Sequence, residues 1–362
     1  MGELTTRDLN RATLARQLLL ERHELPVTEA VERLAGMQGQ EPKHPFIGLW
    51  TRLAGFETGD LHDALHDRRL VRATMMRGTL HLVSAADYMS YRSTLRPVLE
   101  AGLAVLGDRA AGLEPDKVTA AATGLLAERG PLTFADIRAA LQERFPDVND
   151  RALGYATRML VPLVMVPDDS RWSFPANAPF TPAESWLGAK PEPEAAAEEF
   201  LLRYLAAFGP ATPQDFQTWS GLQKAKPLFD AVRDRLTELT ADGKTMYDVP
   251  EAPRPGEDAA APPRYLPEFD NLLLSHAVRT RIIDDAHKPA VFTKNLRVKS
   301  TYLIDGRVAG LWTTEVKRGT ATLRITPFGR LLKRDAAALE KEGAALLRFA
   351  EPDAKAYAFI VE

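Results

Sequence analysis

The chain has 362 residues, of which 45% are hydrophobic, a formal net charge of −3 and no cysteine. This length allows two to four small domains with ordinary apolar cores, and the lack of cysteine excludes disulfides, thiol nucleophiles and zinc–thiolate sites. No apolar run approaches the roughly 18 residues needed to span a bilayer. Because the first residues also lack a signal-peptide pattern, we expect a cytoplasmic protein.

The first part of the chain has the pattern of four helices followed by a hairpin. The predicted helices lie near residues 8–22, 28–37, 46–54 and 59–67, and the hairpin, or wing, spans Leu70 to Val83 with its turn near Arg77. The segment Gln38-Gly39-Gln40, called here the glutamine segment, follows the second helix, and Pro42 and Pro45 then prevent a helix from continuing.

The two glutamines of this segment can point to the same place. Gln38 follows Leu34 by four residues, on the inward side of the predicted helix, and Gln40 lies in non-helical chain. Amides donate and accept hydrogen bonds without ionising. The pair therefore suits either an active site or hydrogen bonds to the free backbone groups at a helix end.

The middle of the chain contains an internal repeat. Residues 130–137 (GPLTFADI) match residues 209–216 (GPATPQDF) at an offset of 79 positions. In each copy an apolar helix ends at Gly-Pro, and a threonine then precedes an acid by three residues, which is typical of a helix N-cap. Another helix and a short extended pair follow each copy. Because residues 9–83 show the same order without Gly-Pro, the sequence predicts three winged-helix units in tandem.

Strands dominate the last part of the chain. Residues 250–263, rich in Pro, Ala and Glu, predict a flexible linker. Residues 302–308 are typical of a hairpin with a tight Asp-Gly turn, a second turn falls at 317–319, and 335–349 predict a closing helix. The predicted fold is α+β, with three tandem winged helix-turn-helix units and a C-terminal small β-barrel-like domain. The predicted divisions are unit 1 with a connecting helix at 1–110, unit 2 at 111–190, unit 3 and linker at 191–261, and the β domain at 262–362.

The charge of the chain is segregated. Residues 294–334 contain ten Lys or Arg and two acids, a local balance of +8, so the remaining residues sum to −11. A single basic run is usually only a solvated surface, but a segregated field can steer a polyanion to one face. A second basic stretch, residues 68–81, contains no acid. Its Arg72 and Arg77 lie on the predicted wing, where phosphate contacts are usual.

Other polar residues are candidates for a cleft or a metal site. His81 alternates with two leucines on the wing, so it is predicted to face away from the local core, where it either contacts DNA or is idle. The predicted buried strand 272–274 is flanked by three polar residues that are candidates to line a cleft, Asp270, Asn271 and His276.

His62 and His66 have i,i+4 spacing, but no third histidine follows nearby. We therefore expect a solvated helix face there and no metal.

Several motifs together resemble the AlkZ/YcaQ type of winged-helix DNA glycosylases over nearly the whole chain. They are residues 9–12 (LNRA), 38–40 (QGQ), 48–50 (GLW), 77–83 (RGTLHLV), 266–276 (LPEFDNLLLSH) and 305–310 (DGRVAG). The family's essential motif is Gln, an apolar residue, Gln, and Gly39 departs from it. One branch carries Asp at the last position, whereas Gln40 matches the branch that unhooks cross-links. The resemblance implies excision of N-alkylated purines from duplex DNA, with Gln38 and Gln40 as catalytic residues.

The implied chemistry suits an active site built from amides. Guanine alkylated at N7 already carries a positive charge and leaves without protonation. The transition state is cationic at the sugar, so the protein must offer oxygen dipoles and position a water. The resemblance implies no cofactor and no metal. The motif contains no matched catalytic lysine, which indicates simple hydrolysis that leaves an abasic site.

The alternative is a winged-helix DNA-binding protein without catalysis, such as a transcriptional regulator, in which Gly39 marks a lost active site. Regulators of this type are usually dimers, whereas three fused units favour a monomer. The basic residues 294–334, called here the positive segment, disfavour a third class of protein, a protein–protein scaffold. Within that segment we expect DNA contacts from Lys294, Arg297 and Lys299. Family members carry a hairpin in the cleft. Strand pattern and charge favour the turn at Lys317 and Arg318 for it, with the turn at Arg77-Gly78 as the alternative.

The positive segment generates a first prediction. Affinity for duplex DNA should fall steeply with salt, because each neutralised phosphate releases counterions with a slope of roughly −0.9 per contact. Reversing the charge of Lys294, Arg297 and Lys299 together should weaken binding regardless of DNA sequence, as measured by salt titrations. Unchanged affinity would place the DNA face elsewhere.

Overall fold

A computed structural model describes residues 3–362. The first part contains the four predicted helices and the wing, although α1 ends well before residue 22 and α2 before residue 37. Its elements are α1 (Thr6–Arg16), α2 (Val27–Arg33), β1 (Met37–Gln38), α3 (Lys43–Trp50), α4 (Thr58–His66), β2 (Leu70–Thr74) and β3 (Leu80–Ser84). Two connecting helices follow, α5 (Ala85–Tyr91) and α6 (Arg96–Ala101).

The next two parts repeat an order of three helices and two strands. The first comprises α7 (Pro115–Arg129), α8 (Phe134–Arg144), α9 (Asp150–Leu160), β4 (Leu163–Met165) and β5 (Phe180–Pro182), followed by α10 (Ala183–Leu187). The second comprises α11 (Ala197–Phe208), α12 (Pro213–Ser220), α13 (Lys226–Ala231), β6 (Thr237–Ala241) and β7 (Lys244–Asp248). The predicted caps form, because the side chains of Thr133 and Thr212 accept hydrogen bonds from the third residue of α8 and α12.

Each of the three parts has an extended residue between two of its helices that pairs with its own wing; in the first part it lies between α2 and α3. Leu132 bridges to Phe180, and Ala211 bridges to Tyr247, directly after the two Gly-Pro turns. In the first part β1 pairs with β3 in the same place. The glutamine segment therefore begins in the extended position that directly follows the Gly-Pro turns in the other two repeats.

A single sheet joins the first two parts. Its strand order is β1-β3-β2-β4-β5, and the pair Ala73–Val164 connects β2 to β4. Every residue of β2 and β3 is buried, because apolar clusters cover both faces of the sheet. One cluster contains Leu80 and Leu82, and the other packs Val71 and Val83 against aromatic residues of α11 and α12. The first wing is therefore enclosed by the third part of the chain.

The C-terminal part is an open sheet that curls around a helix. It contains β8 (Arg264–Leu266), α14 (Lys288–Val291), β9 (Thr301–Ile304), β10 (Arg307–Lys317), β11 (Thr320–Pro327), α15 (Lys333–Ala350) and β12 (Ala356–Val361). The strand order is β12-β11-β10-β9-β8, with β12 parallel to β11. The α15 helix contacts β8, β11 and β12. The strands β8 and β12 form the two edges, so the sheet is not a closed barrel.

Two local predictions are corrected. The predicted buried strand 272–274 is replaced by a 3-10 turn over Asn271–Leu273. Residues 250–263 were predicted to be a flexible linker, but arginines of α1 hold their carbonyl oxygens. Arg7 donates to Glu257 O at 2.8 Å and Arg11 donates to Ala259 O at 2.7 Å. This segment is therefore a strap across α1.

Within residues 3–362, no helix has the length and apolar character needed to cross a membrane.

A buried ion pair ties α1 to the third part of the chain and generates a second prediction. Arg16 donates to both carboxylate oxygens of Asp248 at 2.7 and 2.8 Å, and the two side chains are 1% and 0% exposed. Replacing Asp248 with Ala leaves the buried Arg16 charge without this carboxylate partner. This should lower the free energy of unfolding by about 3–5 kcal/mol in urea titrations.

The exposed i,i+4 pair of Arg33 and Glu29, also at 2.7 Å, provides the control. Glu29→Ala should cost about 0–1 kcal/mol, because solvent screens the pair. Equal small losses in the two variants would show that the Arg16–Asp248 pair does not join these parts.

Candidate functional site

The backbone of the glutamine segment is set by the end of α2. Ala35 and Gly36 have φ values of 54° and 82°, and Gly36 N donates to Val31 O at 2.9 Å. These left-handed residues end the helix before Met37. Gln38 therefore lies on a strand, with His81 as its direct partner on β3, and not on the inward side of a helix as predicted. Gln40 lies in non-helical chain, as expected, and its side chain is half-buried.

Arg72 holds the carbonyl groups of the glutamine segment. Its Nε donates to Gly39 O at 2.7 Å and an Nη donates to Gln40 O at 2.9 Å. The guanidinium also lies 5.0 Å from the ring centroid of Phe174. Because Arg72 is only 4% exposed, the prediction that it contacts phosphate is corrected: it fixes the backbone on which the glutamines are carried.

Asn271 holds the same segment from the opposite side. Its Oδ1 accepts from Gln38 N at 3.3 Å, and its Nδ2 donates to Leu34 O and to Gly36 O. The neighbouring Asp270 makes two hydrogen bonds with the buried Arg52, at 2.8 and 2.9 Å. Asp270 and Asn271 are both buried. They therefore support the glutamine segment from within, which corrects their prediction as DNA contacts.

Arg77 fixes the side chain of Gln38. One Nη donates to Gln38 Oε1 at 2.9 Å, and the other donates to Trp219 O at the end of α12. Since a guanidinium has donors only, the amide oxygen of Gln38 must face Arg77 and its NH₂ group must face away. In this structure Arg77 orients Gln38, and its contact with phosphate stays a prediction.

His81 lies beneath this pair. It is 1% exposed, so it does not face away from the core as predicted, because the third part of the chain covers that face of the wing. Its Nδ1 lies 2.9 Å from Thr79 O, which places the proton on that nitrogen, and its Nε2 lies 3.5 Å from Arg77. Burial and the nearby Arg77 charge lower the pKa of His81 to about 3, so it is neutral at pH 7.

His276 is also an interior residue. Its Nε2 lies 3.1 Å from Phe208 O and its Nδ1 lies 2.9 Å from Ser275 Oγ. Burial, followed by the charge of Arg281, lowers the pKa of His276 to about 3. At 1% exposure it joins α11 to the C-terminal part and does not line a cleft, which corrects the prediction.

The five cations predicted from the positive segment are all exposed, namely Lys294, Arg297, Lys299, Lys317 and Arg318. The last two lie at the turn between β10 and β11. The first three lie around a short hairpin closed by a bridge between Phe292 and Val298, with Leu296 at its tip, 87% exposed. The sequence pattern did not indicate this 292–298 hairpin. Arg297 pairs with Glu268 at 2.6 Å.

A narrow crevice lies behind the glutamine segment. Gln38, His44, Glu268 and Asn271 are among its lining residues, and it has room for no more than about one water molecule. His44 Nδ1 is buried there without a hydrogen-bond partner among the described residues. Burial, with the charges of Lys43, Arg297 and Arg72, lowers the pKa of His44 to about 4. The crevice is therefore too small for an organic ligand.

The histidine pair on α4 has a structural explanation. His62 Nε2 lies 3.1 Å from Arg171 O, and its Nδ1 lies 3.1 Å from Ser173 Oγ. His62 thus joins α4 to residues 171–173, which corrects the predicted solvated face. Within residues 3–362 no group of three His, Asp or Glu side chains has the geometry of a metal site.

The comparisons with known proteins agree with the class that this fold and the glutamine segment define. The chain belongs to the AlkZ-like DNA glycosylase family, whose model matches residues 31–349. It is 28% identical to the interstrand DNA cross-link repair glycosylase of Streptomyces sahachiroi over 358 residues, 92% of this chain and 94% of that protein. The solved structure of Streptomyces sahachiroi DNA glycosylase AlkZ has a TM-score of 0.81 and 25% identity, covering 99% of this chain and 100% of that chain. The family resemblance expected from the motifs is therefore confirmed.

The departure at Gly39 generates a third prediction. A Cβ atom at this position would lie 3.5 Å from Leu82 N and from Pro45 Cγ, which is ordinary contact, and its φ is not in the left-handed region. Gly39→Ala should therefore keep the free energy of unfolding or raise it by about 0.4–1 kcal/mol, since alanine restricts the unfolded chain.

Gly36 provides the matched control in urea titrations. Its φ is +82° and a Cβ would lie 2.8 Å from Val83 Cγ1, so Gly36→Ala should cost more than about 1 kcal/mol. If Gly39→Ala is as destabilising as Gly36→Ala, the backbone at Gly39 requires glycine and cannot accept the family's apolar residue.

Proposed function

We propose that this protein hydrolyses the N-glycosidic bond of N7-alkylated guanine, bulky or cross-linked, in duplex DNA. The observation that carries the proposal is the fixed orientation of Gln38 by Arg77, 2.9 Å from its amide oxygen, on a backbone that Arg72 and Asn271 also hold. We interpret the three repeated parts as winged-helix units. The exposed cations of residues 294–318 support a DNA face beside them.

The two glutamines have different tasks in this proposal. Because Arg77 occupies the Gln38 oxygen, Gln38 presents its NH₂ group, which can donate a hydrogen bond to the oxygen of the attacking water. The half-buried Gln40 side chain is not held in this way. Its amide oxygen can accept a hydrogen bond from the same water and face the cationic sugar.

The reaction balances without a cofactor. The water oxygen bonds to C1′ as the bond from C1′ to N9 breaks, and the electron pair of that bond neutralises the positive charge of the alkylated base. The water then loses a proton to solvent. The products are the free alkylated guanine and an abasic site.

The site contains little basic strength, which suits an activated substrate. His44 and His81 are neutral at pH 7, with pKa values lowered to about 4 and about 3, so they are weak bases. Glu268 forms a salt bridge with Arg297. A general base typically contributes ~10²–10⁴-fold in rate. A positively charged base needs this less than a neutral one, so the enzyme should discriminate against undamaged purines.

The biological role that we propose is DNA repair or self-resistance to a genotoxin, by a monomer. The Streptomyces sahachiroi relative is named for the repair of interstrand cross-links. The alternative is a DNA-binding regulator with a lost active site. It is less favoured, because the contacts of Arg72, Asn271 and Arg77 hold the glutamine segment in place although Gly39 has no side chain.

The glutamines generate a fourth prediction. Gln38→Ala and Gln40→Ala should each bind duplex DNA nearly normally and lose about 10²-fold in single-turnover excision of N7-alkylguanine. Such a loss corresponds to about 2.7 kcal/mol, which oriented dipoles can supply. The double variant should be little worse than the poorer single variant, because both amides act on one water. Gln40→Asp should keep measurable activity, since a family branch carries Asp there.

Gln142 provides a control for a purely structural role. Its Nε2 caps the end of α8 by donating to Phe145 O at 3.1 Å and Pro146 O at 3.0 Å. Gln142→Ala should cost about 0.5–1.5 kcal/mol of stability without changing excision. The substrates are duplexes with 7-methylguanine, a bulky N7-guanine adduct and a nitrogen-mustard cross-link, followed by abasic-site cleavage on a gel. A wild type inactive on all three would refute the glycosylase proposal and favour the regulator.

A further inference from the structure

Arg279 is a half-buried guanidinium without an acidic partner. Its Nε is buried and makes no hydrogen bond within the described residues, and its side chain forms no salt bridge in that part of the chain. Burial alone lowers the pKa of Arg279. A charge removed from water usually has a compensating partner. The buried arginines described above conform, since Arg16 and Arg52 bind carboxylates and Arg72 binds carbonyl oxygens.

The guanidinium of Arg279 is positioned by an aromatic ring. Its central carbon lies 4.6 Å from the ring centroid of Phe292, the first residue of the 292–298 hairpin. A guanidinium supported through its face can donate from its edges, and because Nε of Arg279 is buried, the two Nη atoms form the edge that a ligand can reach. On the same hairpin, Lys294 and Arg297 are exposed. Arg279 therefore adds a positioned cation to a positively charged hairpin.

Arg279 is close enough to Arg77 for their charges to interact. Its charge, after burial, contributes to lowering the pKa of Arg77 to about 10, and Arg77 donates directly to Gln38. From the other direction, the hairpin reaches the crevice beside Gln38 through the pair of Arg297 and Glu268. Arg279 thus contacts the hairpin, and its charge acts on the arginine that holds Gln38.

We propose that Arg279 binds a backbone phosphodiester of DNA beside the damaged nucleotide. This inference rests on the proposed function, because a DNA strand must enter the cleft for the phosphate to be present. A phosphodiester supplies the negative charge that Arg279 lacks, and a planar guanidinium can donate two parallel hydrogen bonds to its oxygens. The contact would fix the strand while the base lies against Gln38 and Gln40.

The test is a salt titration of duplex binding, with fluorescence anisotropy on undamaged DNA. Arg279→Gln should reduce the slope of log affinity against log salt by about 0.9 and weaken binding about fivefold to tenfold at 0.1 M salt, as expected for one phosphate. Arg279→Lys should lie between this variant and the wild type, because it keeps the charge and loses the two-point contact. Circular dichroism confirms folding, and Arg279→Lys provides a second reading if the Gln variant does not fold.

Arg348 provides the matched control. Its guanidinium lies 5.8 Å from the ring centroid of Tyr357 on the exposed surface of α15, so Arg348→Gln removes an equal charge from another aromatic ring. It should leave the slope unchanged.

The outcomes separate this inference from the proposed function. If the wild type binds DNA and Arg279→Gln has the same affinity and slope, the phosphate contact is refuted and the glycosylase proposal stands. If Arg279→Gln binds more weakly with the smaller salt slope, but the wild type excises no lesion, the phosphate site is supported and the glycosylase proposal fails. A wild type with no affinity for duplex DNA overturns both.

Discussion

The hydrogen bond from Arg77 to Gln38 Oε1 decides what the site can do. At 2.9 Å from a group that has donors only, the amide of Gln38 has one orientation, with its NH₂ group directed away from Arg77. The other end of the same guanidinium donates to Trp219 O on α12. The orientation of Gln38 therefore depends on the packing of the first wing against the third repeated part. These contacts orient Gln38 only when the repeated parts are packed together.

The backbone of the glutamine segment is held by hydrogen bonds from two sides. Arg72 binds two of its carbonyl oxygens from the wing side, and Asn271, from a distant part of the chain, binds its amide from the other side. Behind Asn271 is the buried pair of Arg52 and Asp270. Buried polar groups of this kind add little net stability, but when every member is satisfied they specify one arrangement. For the reaction proposed above, in which two neutral amides act, that placement is the main contribution of the protein.

Features encoded by neighbouring residues could be predicted from the sequence. The threonine caps of α8 and α12, the Gly-Pro turns and the order of helices and wings depend on contacts within a few positions, and they are present. The two glutamines were identified from family resemblance, because their spacing alone fits a helix cap equally well. Their equivalence to the residues that follow the Gly-Pro turns of the other repeats was not visible, since no Gly-Pro precedes the glutamine segment.

Roles set by long-range packing could not be predicted. Arginine on a wing suits a phosphate or a carbonyl oxygen equally, and Arg72 and Arg77 bind carbonyl or amide oxygens only because of how the chain folds back. The prediction that His81 faces away from the core assumed that one face of the sheet is open to solvent. Both faces of that sheet are covered. Composition indicated a flexible segment at 250–263, whereas the arginines of α1 hold its carbonyl oxygens.

The central claim is that Arg77 acts through Gln38, and replacing Arg77 with Met tests it most directly. Single-turnover excision of N7-alkylguanine and affinity for the same duplex are measured in parallel, with Arg77→Lys as the variant that keeps the charge. The structure predicts that Arg77→Met loses about 10–10²-fold in excision rate, equivalent to about 1.4–2.7 kcal/mol, while DNA affinity changes by less than about threefold because no phosphate contact is lost. Weaker binding with an unchanged excision rate at saturating enzyme would contradict the account and return Arg77 to the role of a phosphate contact.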